Sequence, residues 1–300
     1  MSILIFGGTG QIGYELVREL PRIDDIVAPT RDEVDLTSPE AIRAAVEHFA
    51  PAVVVNAAGY TAVDSAETDE SACAALNVEA PEVLAKSCRR RGACFIHFST
   101  DYVFDGAKTA PYVESDATGP LNVYGKTKLA GERAIEAVGG AYLIFRTSWV
   151  YAGRGRNFPL TMLRLARELT ELAVVDDQIG APTSARAIAS AVADVLGGLS
   201  DGDALRDAAE SAAGIYHLSA AGHTTWYGFA RAILADAPWP EQQVCRNLRA
   251  IATAEYPTTA PRPRYSVLDN SKVRERFGVE LSPWDEQWQT VSAELRLKRS

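Results

Sequence analysis

The chain has 300 residues, of which 47% are hydrophobic and 23% charged, the balance of a globular chain long enough to bury one large core or two smaller ones. A net charge of −9 and a pI near 5.1 exclude a general nucleic-acid or anionic-membrane binder. Small anionic ligands held by local basic groups or backbone NH groups stay open. The cysteines Cys73, Cys88, Cys94 and Cys245 lack C-x-x-C spacing, and three fall in regular helix or strand, so buried reduced thiols are expected. No basic leader, small-residue cleavage site or 18-residue apolar run follows the N-terminus. The expectation is a cytoplasmic protein with no membrane partner.

Ser2–Phe6 reads as a buried strand, and Gln11–Leu20 has a helical pattern. Between them, Gly7, Gly10 and Gly13 are spaced G-x-x-G-x-x-G. A strand, a glycine turn and a helix N-terminus form the device that holds a pyrophosphate: backbone comes close, free NH groups point at the anion, and the dipole favours it. A second strand, Asp25–Ala28, runs into Thr30 and Arg31. A carboxylate near this strand end suits the 2′-hydroxyl of NAD, whereas an arginine accommodates a 2′-phosphate, so Arg31 points to NADPH over NADH. Val34, Asp35 and Leu36 bring backbone to the adenine end, and Ser38 caps a helix from Pro39 to Phe49.

Ala52–Asn56 is apolar throughout, as in a parallel sheet, and runs into the small residues Ala57, Ala58, Gly59 and then Thr61, which let a cofactor lie against backbone. A helix from about Ser71 to Arg91 ends at Gly92. Ala93–Phe98 is strand four, with His97 a core or supporting histidine and not a base. Thr100 and Asp101 follow at its carboxyl end, where open α/β sheets place ligands. Asn122 starts the helix that bears Tyr124 and Lys128, and Tyr142–Arg146 is strand five. On a helix, Tyr124 and Lys128 share one face, while Lys126 points away. The Lys128 ammonium is expected to lower the Tyr124 phenol towards a usable proton donor or acceptor.

Five alternations of strand and helix over some 150 residues predict an α/β, Rossmann-type, doubly wound parallel sheet. Later elements are looser: helices at Phe158–Leu169, Ala185–Leu196 and Trp226–Ala237, a strand and turn at Ala173–Thr183, a polar surface excursion at residues 198–214, a last sheet strand at Gly214–Leu218 and a final helical region after Pro263. The expected division is a dinucleotide half of residues 1–150 plus roughly 179–219, and a smaller C-terminal α/β substrate lobe of roughly 151–178 and 220–300.

Gly7–Gly13, Asn56–Asp64, Ser99–Gly106, Tyr124–Lys128, Arg146–Tyr151, Asp177–Thr183 and Arg262–Ser266 together resemble the extended short-chain dehydrogenase/reductases, over almost the whole chain. The resemblance implies a reductase of a nucleotide-linked 4-keto sugar. It makes Tyr124 the catalytic acid, Lys128 its partner and holder of the nicotinamide ribose, Thr100 the residue that touches the sugar oxygen, and Asp101 and Trp149 substrate contacts. Gly7, Gly10, Gln11, Ile12, Gly13, Arg31, Asp35, Leu36, Ala57, Ala58, Gly59 and Thr61 become contacts to NADPH or NADH. Some relatives carry an acidic residue where Thr30 stands. Others bind Mg²⁺ at a homodimer contact through glutamates on the first helix, where Glu15 either serves or lies on a solvated face. Rival readings are a nucleotide-sugar dehydratase or epimerase, and a non-catalytic regulatory subunit like the β subunit of methionine adenosyltransferase. Dehydratases carry an added acid after the Thr-Asp pair, whereas here Tyr102 follows.

Overall fold

The structure, a computed structural model, describes residues 2–199 and 205–297. Its centre is a six-stranded parallel sheet of β1 (Ser2–Phe6), β2 (Asp25–Val27), β3 (Val53–Asn56), β4 (Cys94–Thr100), β5 (Tyr142–Thr147) and β6 (Gly214–His217). The spatial order is β6-β5-β4-β3-β1-β2, all neighbours parallel. The chain therefore reverses its direction of winding at β1, which leaves a crevice between the carboxyl ends of β1 and β3.

The strands read as unbroken apolar runs because both faces are covered. Ile3 and Ile5 face one core, packed by α1 (Gln11–Glu19) and α5 (Ala185–Leu199) through Leu16, Leu20, Ile188 and Val192. Leu4 and Phe6 face the other, packed by α2 (Pro39–Phe49), α3 (Ala80–Arg91) and α4 (Val123–Val138) through Ile42, Val46, Leu84 and Ile135. The Ser38 hydroxyl accepts from the Ala41 NH and caps α2. Cys73, Cys88 and Cys94 are free buried thiols, and Cys245 is partly exposed.

A third core, built on Tyr151, Leu163, Phe229, Ile233 and Trp288, joins the helices Phe158–Glu168, Trp226–Ala235 and Trp284–Leu297. Beside it Glu171–Val175 pairs in parallel with Asn247–Ile251. Among the described residues no helix is long and apolar enough to cross a membrane.

Two expectations change. The described part of the 198–214 excursion is mostly helical: Gly198 lies in α5, and Leu205–Ser211 forms α6, whose Leu205 and Ala209 are buried in the sheet core. Residues 200–204 fall outside the described residues. The polar residues misled because only two apolar positions per turn are needed to seat a short helix. The helix expected over 71–91 is interrupted by a π turn at Ala75–Glu79, between Glu70–Ala74 and α3.

The helix α4 is tied to β5 by a buried, two-pronged ion pair. Arg146 Nε donates to Glu132 Oε1 at 2.9 Å and Nη2 to Oε2 at 2.7 Å, with side chains 3% and 1% exposed. Removing one partner strands the other charge in the core, so Glu132→Ala should lower the unfolding free energy by about 3–5 kcal/mol in urea titration. An unchanged midpoint would show that the pair does not clamp α4.

Candidate active site

The crevice at the end of β1 continues into one cleft of about 670 Å³, within the size range of small-molecule sites. Its floor is the glycine turn. Gly7 has φ +81°, and a Cβ there would stand 2.5 Å from the Ala58 nitrogen. Only a residue without a side chain lets β1 and β3 diverge that closely. The Gly10 NH donates back to the Gly7 carbonyl at 2.9 Å, and α1 starts at the next residue with its first NH groups towards the cleft. No side chain fills this floor, which fits a dinucleotide pyrophosphate.

The cleft brings together Gly7, Gly10, Gln11, Ile12, Arg31, Asp35, Leu36, Ala57, Ala58, Gly59 and Thr61 with Thr100, Asp101, Tyr124, Lys128 and Trp149. Gly13 is the exception. It is buried outside the lining, where a Cβ would lie 2.0 Å from the Gly7 carbonyl oxygen, so it packs the helix onto the turn. At the β2 end, Thr30 donates its NH and hydroxyl to Glu33 Oε2 at 2.7 and 2.9 Å, so a carboxylate reaches this region from three residues on. Glu15 does not lie on a solvated face; its carboxylate is largely buried and bonded to Arg18 at 3.0 Å. Among the described residues no group of three or more His, Cys, Asp or Glu converges on a metal position.

Among the lining residues that the sequence did not mark as site residues are Asn77, Thr147 and Arg156. Asn77, on the π turn, accepts from the Tyr60 NH and donates to its carbonyl, which holds the Gly59–Thr61 wall. Thr147 ends β5 inside the cleft. Arg156 enters from a loop that Asn157 fastens to the glycine turn by donating to Gln11 Oε1 at 2.9 Å. Only the Gly-Arg-Gly-Arg-Asn composition hinted at that loop.

At the far end, Asn122 caps α4 by accepting from the Gly125 NH at 2.8 Å, placing Tyr124 in the first turn beside the end of β4. The Tyr124 hydroxyl bonds the Thr100 side chain. Thr100 Oγ1 donates to Asp101 Oδ1 at 2.9 Å and accepts from the Tyr102 NH at 3.2 Å. Asp101 is 2% exposed and also held by Ser148 and Ser266; burial nevertheless pushes its carboxyl up to about 6.

One expectation fails here. Burial pushes the Tyr124 phenol above its ordinary value, with the Thr100 bond pulling back only in part. Lys128 lies one turn along on the same helix, but its Nζ bonds the Phe98 carbonyl at 2.5 Å and meets His97 Nε2 at 3.1 Å. Burial drives Lys128 down to about 8, against the pull of Glu132 and Cys73. Sharing a helix face brought the two groups together; desolvation of both overrides the ammonium's effect on the phenol. His97 is fully buried and supports Lys128, as its alternation with apolar neighbours suggested.

Trp149 forms the outer wall. It takes the uncommon left-handed backbone (φ +47°) and its ring stacks on Trp226 at 3.5 Å and 5°. Trp226 donates to Gln178 Oε1 at 3.2 Å, so a second, unforeseen aromatic fixes the first.

A parallel sheet with a glycine turn at its switch point, and a Thr-Tyr-Lys constellation beyond, defines an extended short-chain dehydrogenase/reductase. The family model described as RmlD substrate binding domain matches residues 1–297. A dTDP-4-dehydrorhamnose reductase of Burkholderia thailandensis is 48% identical over 289 residues, 95% of either chain. A solved dTDP-4-dehydrorhamnose reductase of Clostridium acetobutylicum is 33% identical, with a TM-score of 0.89 over 99% of this chain and 100% of that one. Another, from Bacillus anthracis in complex with NADP, is 30% identical, with a TM-score of 0.87 over 98% and 99%. The chain belongs to the dTDP-4-dehydrorhamnose reductase family.

Asp101 gives the site a pH signature. Its folded value near 6 exceeds the ordinary 3.8, so between those values the folded state keeps a proton that the unfolded state has lost. Stability from this group is present below about pH 4 and falls as pH rises to 6, by roughly 3 kcal/mol at most. Asp101→Asn should lack that fall in urea titrations run from pH 4 to 6.5, and parallel curves for the two proteins would refute the assignment.

Proposed function

We propose that the protein reduces the 4-keto group of dTDP-4-dehydro-L-rhamnose to give dTDP-L-rhamnose, with NADPH or NADH as reductant. The observation that carries this reading is the continuity of the cleft: one opening joins the glycine turn to the Thr100–Tyr124–Lys128 cluster and the Trp149 wall. The bound dinucleotide supplies a hydride. Gly7–Ile12 hold its pyrophosphate, Asp35 and Leu36 its adenosine end, and Ala57–Gly59 and Thr61 flank its middle. Lys128 holds the nicotinamide ribose.

Tyr124 gives its proton to the oxygen of the reacting carbonyl as negative charge develops there. Its raised pKa keeps it protonated at neutral pH, the form that reduction needs. Thr100 keeps the phenol aimed at the cleft, and Trp149, braced by Trp226, sets the depth of the sugar. The dehydratase reading loses support at residue 102. The Tyr102 ring meets Tyr124 edge-on at 5.9 Å but does not line the cleft, so no added acid stands there. Residues 1–150 with roughly 179–219 serve as the dinucleotide half, and the remainder as the substrate lobe.

The direct test follows dinucleotide oxidation across a panel of 4-keto nucleotide sugars, with product configuration read by NMR. Stoichiometric oxidation and the L-rhamno product are expected; turnover without net oxidation would mean an epimerase. Tyr124→Phe should keep dinucleotide affinity within about twofold while the rate falls ~10²–10⁴-fold. Undiminished turnover would remove Tyr124 from the chemistry. Arg31, exposed at the cleft's adenine end, is assigned to the 2′-phosphate. Arg31→Ala should raise the KM for NADPH about tenfold and leave that for NADH unchanged; equal changes would place Arg31 elsewhere.

A further inference from the structure

Among the described residues three cations line the cleft: Arg31, Lys128 and Arg156. Two of them have work assigned above. Arg31 stands with Pro29 and Thr30 at the adenine end, and Lys128 is bonded to Phe98 and His97 at the reacting end. Arg156 has none. Its side chain is exposed, and among the described residues no carboxylate or carbonyl bonds it. The cleft carboxylates are taken elsewhere, Asp35 by the NH and hydroxyl of Thr37 and Asp101 by Thr100 and Ser148. The guanidinium therefore stands in the cleft with its charge unmatched.

The loop that carries it is fastened to the first turns of α1 on both sides of Arg156. On one side the Arg154 guanidinium lies 3.7 Å from the centre of the Tyr14 ring. On the other, Asn157 donates to Gln11 Oε1 at 2.9 Å and to the carbonyls of Ala152 and Arg154 at 2.8 and 3.0 Å. Between these anchors Gly155 takes φ +75°, a backbone that turns the chain and that few side chains adopt. Gln11 opens α1, so Arg156 is held beside the glycine turn and not at the adenine end. The turn offers an anion backbone NH groups and a helix end worth about half a positive charge. A diphosphate is dianionic, so the floor alone leaves most of its charge unbalanced.

We propose that Arg156 binds the diphosphate of the dinucleotide, closing over the glycine turn from the side opposite its backbone floor. The planar guanidinium offers paired NH donors that match two phosphate oxygens, which a point charge does not. The nucleotide sugar also carries a diphosphate. The anchors on Tyr14 and Gln11 assign Arg156 to the cofactor's, because both lie on the helix whose N-terminus forms the floor. The loop runs on into the helix Phe158–Glu168 of the third core, so the dinucleotide is gripped from both cores at once. The proposal rests on the dinucleotide reading of the cleft given above; it does not depend on which keto sugar is reduced.

The test titrates NADH, ADP-ribose and dTDP into full-length protein by calorimetry. NADH lacks the 2′-phosphate, which keeps Arg31 out of the comparison, and ADP-ribose keeps the diphosphate without the nicotinamide. Arg156→Gln should weaken NADH and ADP-ribose by about tenfold, and Arg156→Lys by less, with dTDP affinity and Tm unchanged. The loss should shrink as NaCl is raised from about 0.05 to 0.5 M, because a contact between charges at an exposed group is screened. A loss that is the same at every salt concentration would mean a displaced loop and overturn the proposal. Unchanged NADH and ADP-ribose affinities in Arg156→Gln overturn it too. So does a loss that appears equally or only with dTDP, which would give Arg156 to the sugar nucleotide or to the field of the whole cleft. Wild-type protein that binds neither NADH nor ADP-ribose would instead sink the dinucleotide reading itself, so the two failures are told apart.

Discussion

The site exists because α4 lies unusually close to the segments that flank it. A Cβ on Gly125 would stand 2.3 Å from the Tyr102 carbonyl oxygen, and one on Gly131 would stand 2.1 Å from that of Asn77. Tyr124 adjoins the first of these positions, and Lys128 lies between the two. The contact presses the phenol against the end of β4 at the cleft and the amine behind it, out of water, and the Glu132–Arg146 pair holds the helix there. From that one approach follow the raised phenol, the lowered lysine and the buried Asp101.

Desolvation, more than pairing, governs the chemistry. Coulomb attraction between a phenolate and an ammonium would favour the charged pair, yet desolvation raises the phenol and lowers the lysine, so the phenol stays protonated at neutral pH. For a reductase this is the productive direction, since the reacting oxygen needs a proton. The same burial makes unmatched hydrogen bonds expensive, and behind the cleft Asn56, His97 and Lys128 are bonded in line.

The cleft draws its walls from both the sheet and the third core. The glycine turn and the Ala57–Gly59 wall belong to the sheet, while Trp149 is braced from the third core by Trp226. The Asn157–Gln11 bond ties the loop leaving the sheet back to the first helix and carries Arg156 into the cleft. A binding surface assembled from two cores can hold one end of a long ligand rigidly while the other end varies.

The sequence by itself determined the order of elements, the parallel sheet, the glycine turn and the face shared by Tyr124 and Lys128. Each follows from local periodicity, from the conformational range of glycine or from one helical turn. It also marked His97 as supporting, because that residue alternates with apolar neighbours. Only the tertiary structure decided that Gly13 packs outside the cleft lining, that Glu15 is buried, that a π turn brings Asn77 to the cleft, and that Trp226 and Arg156 arrive from distant segments. It also reversed the expected electrostatics of the Tyr124–Lys128 pair. Spacing along a chain tells which groups can meet, but how much water surrounds them is set by parts of the chain far away.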